Sequence, residues 1–457
     1  MKLEQIYTGC LAEAAYYIES EGEAAVIDPL RESSPYLSRA EKNGAKIRYI
    51  FETHFHADFV SGHVELAKKS GGTIVYGPTA KTNFDAHIAQ DGEEFKVGKL
   101  TIKVLHTPGH TPESTCYLLT DETGKQHCLF TGDTLFIGDV GRPDLAQKGD
   151  QTMEDMAATL YDSLHSKIMQ LPDDLIIYPA HGAGSACGKN MSKETFDSLG
   201  HQKETNYALL ATSKEQFVKE VTDGILPPPA YFAKNAAMNK AGGAVLEDVF
   251  KTGLVGLTPS EFEAAANAGD VLVLDVRDPQ VFASGFVPGA INIGLNGQFA
   301  PWVGALIPDI QQNILLVTED GKAEEVITRL ARVGYDNTVG YLEGGMTAWK
   351  AAGKIVDQIQ SIKPAEFAAL GDYQDLNVLD VRKPGEYANG HFEFTDHLSL
   401  DTINDWTQEL NPDETYHIHC AGGYRSMIAA SILKARGIDN VIDVAGGYAA
   451  IKAEMPQ

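Results

Sequence analysis

No apolar run in this chain approaches the ~18 uninterrupted residues of a membrane-spanning helix, so no membrane partner is expected. Cations are scarce: 37 Lys and Arg stand against 63 Asp and Glu, a formal net charge of −26. Nucleic acid and anionic membrane surfaces are excluded as partners on that balance, because both are bound through cationic patches. The same balance sets a condition. An anionic substrate, repelled by the field of the whole protein, must find local Arg, Lys or metal charge. Cysteine is sparse as well, with 5 residues (Cys10, Cys116, Cys128, Cys187, Cys420), odd in number and without a CxxC pair. That pattern argues against a disulfide framework and for a reducing compartment. The N-terminus has no basic segment followed by an apolar stretch and cleavage site, and a cytoplasmic location is the expectation. Any special cysteine must then act singly, as a thiolate.

What is present is a chain of 457 residues, 43 % apolar, long enough for several domains with real cores. Short apolar runs read as strands at Ala24–Asp28, Ile47–Phe51, Thr101–Leu105, Thr115–Leu119, Cys128–Thr131 and Leu175–Tyr178. Helical spacing is expected at Val64–Lys69, Met153–Ile168 and Glu204–Phe217. Leu226-Pro227-Pro228-Pro229 breaks any helix or inner strand. The most informative stretch is Thr53-His54-Phe55-His56-Ala57-Asp58, where His54, His56 and Asp58 follow an apolar strand. His110, Asp133 and His181 each stand at the end of a later apolar run. Loops at strand ends are where rigid scaffolds carry chemistry, and this ordered set reads as a metal site.

The remainder of the chain contains a repeat. Val273-Leu274-Asp275-Val276-Arg277 recurs as Val378-Leu379-Asp380-Val381-Arg382, and Leu342-Glu343-Gly344-Gly345 as Val444-Ala445-Gly446-Gly447. Both offsets are close to one value, so two copies of one small α/β domain with a parallel sheet are expected. In the second copy a strand runs into Cys420-Ala421-Gly422-Gly423-Tyr424-Arg425-Ser426 and then an apolar helix. Backbone N–H groups of Ala421, Gly422, Gly423 and Tyr424 at a helix N-terminus form a cradle for negative charge. The cradle centre is the sulfur of Cys420, and Arg425 adds to the stabilisation of its thiolate, a strong nucleophile. The first copy aligns Thr318 with Cys420 and continues Glu319-Asp320-Gly321-Lys322-Ala323-Glu324. Without sulfur and with acids where an anion would bind, it cannot run that chemistry, and a structural role is expected.

These residues carry two resemblances. Asp-Val-Arg before a helix, Cys-x-x-Gly-x-Arg-Ser and the late Gly-Gly resemble the rhodanese (sulfurtransferase) domain. The resemblance implies that Cys420 carries a sulfane sulfur as a persulfide, with the first copy an inactive domain. The His-x-His-x-Asp run with His110, Asp133 and His181 is similar to the metallo-β-lactamase superfamily. Within it, Thr-His-x-His-Ala-Asp, Thr-Pro-Gly-His-Thr, Thr-Gly-Asp-x-Leu and Gly141-Arg142-x-Asp144 look like the persulfide dioxygenase branch.

The resemblance implies an α/β protein: an N-terminal αββα sandwich at residues 1–235, a linker at 236–257, and rhodanese-like domains at 258–356 and 357–457. It also implies one Fe(II) per chain held by His54, His110 and Asp133, with His56, Asp58 and His181 orienting ligands or moving protons. Two imidazoles and one carboxylate on one face suit non-haem iron and leave neighbouring positions open. Phe59 stands where two-metal relatives have a histidine, which weakens a second site. Arg142 is the expected partner of the anionic substrate. The small-molecule partners implied are a thiol persulfide, O2, sulfite and thiosulfate, and the degenerate repeat makes a homo-oligomer an expectation. His181-Gly182-Ala183 departs from the His-Asp-Tyr of glutathione-using members and leaves the carrier thiol open. Two rival readings stand beside this one: a two-zinc thioester hydrolase of the glyoxalase II type fused to a sulfurtransferase, and a non-catalytic sulfur carrier.

Overall fold

The computed structural model describes residues 1–146 and 151–455. Two compact units form: residues 1–246 with 331–334, and the rest of 247–457. Among the described residues no helix is long and apolar enough to cross a membrane.

The first unit holds two six-stranded sheets. One runs, in spatial order, β1 (Lys2–Thr8), β2 (Glu13–Ser20), β3 (Glu23–Ile27), β4 (Lys46–Glu52), β5 (Thr73–Tyr76), β6 (His87–Ile88). The other contains β7 (Glu94–Val97), β8 (Leu100–His106), β9 (Thr115–Thr120), β10 (Gln126–Gly132), β11 (Ile176–Pro179) and β12 (Asp197–Ser198), ordered from β12 to β7. Strand periodicity explains the layering, since alternate side chains face opposite sides. In β2, Ala14, Tyr16 and Ile18 enter the core between the sheets, while Ala15 and Tyr17 pack outward with Tyr36, Ala40 and Leu66 of two helices. In β9, Tyr117 and Leu119 face inward; Cys116 and Leu118 face Leu160 and Leu164 on the other outer side. Helix, sheet, sheet, helix is the result, as the resemblance implies. Cys116 is buried in this packing, which pushes its thiol up to about 11 and leaves it inert at neutral pH.

Two expected elements differ. The helix at Met153 runs to Ser163 and continues as a π-turn over Leu164–Ile168. Glu204–Phe217 is two helices, Leu199–Thr205 and Lys214–Thr222. Asn206 breaks them: its amide donates to the carbonyls of Phe136 and Asp139, and its oxygen accepts from Ala208 N–H. A side chain that satisfies loop carbonyls in this way competes with helix continuation.

The expected linker is also ordered, with helices Phe232–Ala241 and Leu246–Gly253. Buried Asn239 pins the first of these beneath the histidine loop. Its amide donates to the carbonyls of His56 and Phe59, both at 2.7 Å, and its oxygen accepts from Ser61 N–H at 2.8 Å.

The second unit holds two all-parallel five-stranded sheets. The first copy has β13 (Gly256–Leu257), β14 (Val271–Asp275), β15 (Ile291–Asn292), β16 (Asn313–Val317) and β17 (Thr338–Leu342), in the order β13-β17-β16-β14-β15. The second has β18 (Gln360–Ile362), β19 (Asn377–Asp380), β20 (Thr395–His397), β21 (Tyr416–His419) and β22 (Val441–Val444), in the order β18-β22-β21-β19-β20. The recurring Asp-Val-Arg is a structural clamp. Arg277 forks onto buried Asp275 and the carbonyl of Gly285, and Arg382 repeats this with Asp380 and Gly390. The late glycine pair has an equally local reason. Gly447 has φ +72°, and a Cβ there would stand 2.1 Å from Ala421, so only glycine lets the following helix close on the Cys420 loop.

Removing the Asn239 side chain leaves one buried N–H and two buried carbonyls without partners. Asn239→Ala is expected to cost about 2–4 kcal/mol and lower the thermal midpoint of the first unit by ~5–10 °C, measured by calorimetry. An unchanged midpoint would show that this helix contributes nothing to the fold.

Candidate metal centre and sulfur site

Four strand ends meet at one edge of the sandwich. The loop after β4 supplies His54, His56 and Asp58; those after β8, β10 and β11 supply His110, Asp133 and His181. All six side chains are buried. His54, His110 and Asp133 bring ligand atoms within 4.8 Å of one another. The Nε2 atoms of His54 and His110 lie 3.8 and 3.5 Å from Asp133 Oδ2.

Hydrogen bonds behind the rings fix which nitrogen faces inward. His110 Nδ1 lies 2.8 Å from the carbonyl of Arg142, which can only accept, so Nδ1 carries the proton and Nε2 presents its lone pair. Thr53 Oγ1 donates to Asp28 Oδ2 at 2.8 Å and therefore accepts from His54 Nδ1 at 2.9 Å, giving the same tautomer. Burial, then the neighbouring His56, hold the His54 imidazole well below its ordinary pKa and keep it neutral. Asp28 sits in the left-handed region (φ +48°) and also accepts from Thr53 N–H, so strained backbone at a strand end serves the ligand loop. The sequence reading missed Asp28 and Thr53; the signal was an acid ending an apolar strand, as at Asp133.

Asp133 is the hub. Burial opposes its ionisation, but His181, His54 and His110 outweigh it and hold the carboxyl far below the usual range. Oδ1 accepts from His181 Nδ1 at 2.7 Å, whereas Oδ2, facing the two imidazoles, has no hydrogen-bond partner among the described residues. An orphaned buried carboxylate oxygen opposite two directed lone pairs is the donor set of a metal ion, and the residues fit one.

His181 is shared between two acids, with Nε2 2.8 Å from Asp58 Oδ2. Burial opposes its charge, yet Asp133 and Asp58 raise its pKa well above the ordinary value, so it stands as an imidazolium orienting both carboxylates. Asp58, His181 and Cys187 form a second cluster of ligand atoms. The Cys187 thiol is driven well up by burial and by Asp58 and Asp133, which makes it a poor thiolate donor. Phe59, buried against the His56 ring at 4.3 Å, provides no lone pair. His56 turns away from the three-ligand set. Its Nε2 lies 3.0 Å from Asp28 and 3.6 Å from Glu52, in a buried group that includes His63.

The Arg142 guanidinium does not face a substrate. It forks onto Asp144 at 2.7 and 2.8 Å and donates to the carbonyls of Ala186 and Leu226. Its service to the site is its own carbonyl, which sets the His110 tautomer. A cavity of about 380 Å³ opens beside His110, walled by Phe55, Phe232 and Ala236, with Lys81 and Lys240 among its lining residues. Glu113 and Asp144 share that lining, Asp144 in its pair with Arg142, and periodicity alone could not have found these groups together.

In the second unit Cys420 is buried at the end of β21. Gly423 N–H donates to its sulfur at 3.1 Å, and Ser426 Oγ lies 3.7 Å away. Ser426 in turn donates to buried Asp443 at 2.7 Å. Of the expected cradle, Gly423 alone reaches the sulfur among the described residues; Ala421 and Gly422 are exposed around it. Arg425 pairs through both terminal nitrogens with Glu386, at 2.6 and 2.8 Å, and draws that carboxyl down to about 2. Tyr424 turns its hydroxyl to the carbonyl of Gly294 in the first copy at 2.7 Å. A cavity of about 300 Å³ beside the loop is lined by Gln298 and Trp302 of the first copy with Lys383, Glu386, Tyr424 and Arg425 of the second. The degenerate copy therefore walls a cavity that Tyr424 and Arg425 of the Cys420 loop also line.

Residues 8–181 match the metallo-beta-lactamase superfamily, and residues 258–352 and 363–454 each match the rhodanese-like domain. The mitochondrial persulfide dioxygenase ETHE1 of Homo sapiens is 33 % identical over 45 % of this chain and 74 % of its own length. A probable hydroxyacylglutathione hydrolase of Schizosaccharomyces pombe is 32 % identical over 38 % of this chain and 66 % of its own length. The crystal structure of a metallo-beta-lactamase from Staphylococcus aureus superposes with a TM-score of 0.66 at 32 % identity, over 75 % of this chain and 98 % of that one.

Two outcomes follow from the geometry. Asp133→Asn and His54→Ala are each expected to abolish retention of a metal ion through gel filtration, read by elemental analysis. In the metal-free chain, the His181 imidazolium contributes stability that is full below about pH 6.5, its unfolded value. That contribution declines as pH rises through the raised folded value. The alkaline fall in thermal midpoint should be shallower in His181→Gln, and equal slopes would place the charge elsewhere.

Proposed function

The chain belongs to the metallo-β-lactamase superfamily and carries two rhodanese-like domains, and from that premise we propose a persulfide dioxygenase coupled to a sulfurtransferase. The first reaction is RSSH + O2 + H2O → RSH + SO3²⁻ + 2 H⁺. In the second, sulfite attacks the outer sulfur of a Cys420 persulfide, the S–S bond breaks, and thiosulfate leaves with Cys420 as thiolate. The observation that carries the reading is the triad of two directed imidazoles and one half-bare carboxylate, combined in one chain with a backbone-stabilised cysteine.

His54, His110 and Asp133 would hold one Fe(II), which supplies the electron exchange between a persulfide sulfur and dioxygen. The protein's own groups do the rest. His181 fixes Asp133 so that Oδ2 stays turned to the metal. Phe55, Phe232 and Ala236 exclude water from the space beside His110 and receive the apolar part of the thiol carrier. Lys81 and Lys240 are the cations in that lining available to an anionic carrier, against Glu113 and the Arg142-paired Asp144. At the other site Gly423 N–H favours negative charge on sulfur, before loading and again after transfer. A reducing, cytoplasmic setting, in which Cys420 remains unpaired, belongs to the same proposal.

The two-zinc thioester hydrolase is the rival with an observation behind it, because Asp58, His181 and Cys187 converge beside the triad. His181 Nδ1 is taken by Asp133 and the Cys187 thiol is driven up by burial, which supports one ion.

Aerobic turnover of glutathione persulfide should consume O2 and yield sulfite in equal amounts, with one iron per chain. Cys420→Ser should keep O2 uptake and sulfite within about twofold, and lose thiosulfate formation by more than ~10³-fold, as removal of a covalent nucleophile demands. Two zinc per chain with activity unchanged under nitrogen would sink the dioxygenase reading.

A further inference from the structure

Three buried side chains in the second rhodanese-like copy form a directed chain that begins at the nucleophile. Cys420 Sγ donates to Ser426 Oγ at 3.7 Å, and Ser426 Oγ donates to Asp443 Oδ1 at 2.7 Å. A serine hydroxyl has one proton to give and lone pairs to receive with. Here that proton is committed to Asp443, so a lone pair is left for the thiol. Cys420 is 1 % exposed, and Ser426 and Asp443 are sealed completely. Bulk water is therefore badly placed to take the thiol proton, and the carboxylate at the end of the chain is not.

A second observation comes from the duplication. Aligned on the shared glycine pair, the first copy has Thr318 for Cys420, Glu324 for Ser426 and Tyr341 for Asp443. The copy without the nucleophile lacks the whole chain. Asp443 itself stands in β22, between β18 and β21, where a carboxylate is costly unless it is partnered or protonated. Its partners are neutral: besides Ser426, Oδ2 accepts from Ser361 Oγ of β18 at 2.8 Å and from Gln280 Nε2 of the first copy at 3.1 Å. No ion pair forms with it among the described residues. Burial outweighs these three donors and raises its pKa above the ordinary carboxylate value. Around the sulfur, the charged or titratable groups are Arg425, which Glu386 holds, and His419, whose ring lies 3.9 Å from Asp380.

We propose that Asp443 is the proton acceptor for Cys420, working through Ser426. This rests on the sulfurtransferase reading of Cys420 and supplies the base that reading needs. The Cys420 S–H proton passes to Ser426 Oγ as the Ser426 hydroxyl proton passes to Asp443 Oδ1. The S–H bond and the old Ser426 O–H bond break; a new Ser426 O–H and an Asp443 O–H form. The electron pair stays on sulfur as thiolate, and no oxidant or reductant takes part. Asp443 never touches the sulfur, so it acts by setting the ionisation of another group. Gln280 gives the degenerate copy a hold on that step, because its amide favours the charged carboxylate and so restrains proton uptake.

The test is the rate at which iodoacetamide alkylates Cys420 in the full chain between about pH 4.5 and 9.5, read at its peptide by mass spectrometry, since only the thiolate reacts. A thiol that shares its proton with Asp443 shows two ionisations with a plateau between them, because the pair titrates as a unit. Asp443→Asn should leave a single ionisation. Ser426→Ala should also leave one and lower the rate on the former plateau ~10-fold or more, whereas Ser426→Thr, which keeps the hydroxyl, should restore both. Gln280→Ala should retain both and move the lower one up by roughly half to one pH unit, the effect of a lost donor to the carboxylate. A single ionisation in the unaltered chain overturns the proposal whatever the variants do, and so do two ionisations in Asp443→Asn. Alkylation needs no turnover. A chain that shows both ionisations but forms no thiosulfate would therefore reject the sulfurtransferase reading and leave the relay standing.

Discussion

A carboxylate with one oxygen bonded and the other bare, sealed inside the protein, is the constraint on which the first unit turns. Burial alone would protonate Asp133, because an isolated buried charge is costly. His181 reverses that by standing as a cation between Asp133 and Asp58. The arrangement leaves Oδ2 ionised and unshared, facing two imidazoles whose outer nitrogens are tied to Thr53 and the Arg142 carbonyl. Each of these supports comes from a different strand end, so the sandwich has to form before the donor set exists. Glycine marks the tightest point of that assembly. A Cβ on Gly141 would stand 2.0 Å from the Asp133 carbonyl oxygen, so the chain can pass behind the carboxylate only there.

The layered architecture, the six metal-edge residues and the duplicated domain were legible because each leaves a periodic or repeated signal. Alternation in β2 and β9 encodes two buried faces, and Asp-Val-Arg recurs because both copies need the same buried clamp. What stayed hidden depends on contacts far apart in sequence. Arg142 looked like a substrate cation, but four hydrogen bonds direct its guanidinium to Asp144 and to two carbonyls that only the fold brings near. The helix at Phe232–Ala241 has little amphipathic pattern to betray it; it docks through buried Phe232 and through Asn239, which bonds the histidine loop. Asn206 worked the other way, ending a helix that spacing had joined.

The second unit shows how a duplicated scaffold diverges without changing its framework. Strand order, Asp–Arg clamp and positive-φ glycine pair are common to both copies. The chemically decisive difference lies in the loop after the central strand. One copy keeps a sulfur with a backbone donor; the other has a threonine there, in a cavity whose lining includes four acids. Loss of the nucleophile did not make the first copy idle, because Gln298 and Trp302 close the side of the pocket that the second copy leaves open.

Charge at that pocket then decides what can enter. Arg425 is the cation nearest in sequence to Cys420, yet Glu386 grips it through two hydrogen bonds and remains ionised down to about pH 2. Counting Lys383, Arg425 and Glu386, the lining carries one net positive charge. A dianion such as the sulfite of the proposed reaction is therefore attracted, but only weakly against the field of a −26 chain. Glu386 holds both terminal nitrogens of Arg425, so the guanidinium is already engaged where it lines the cavity.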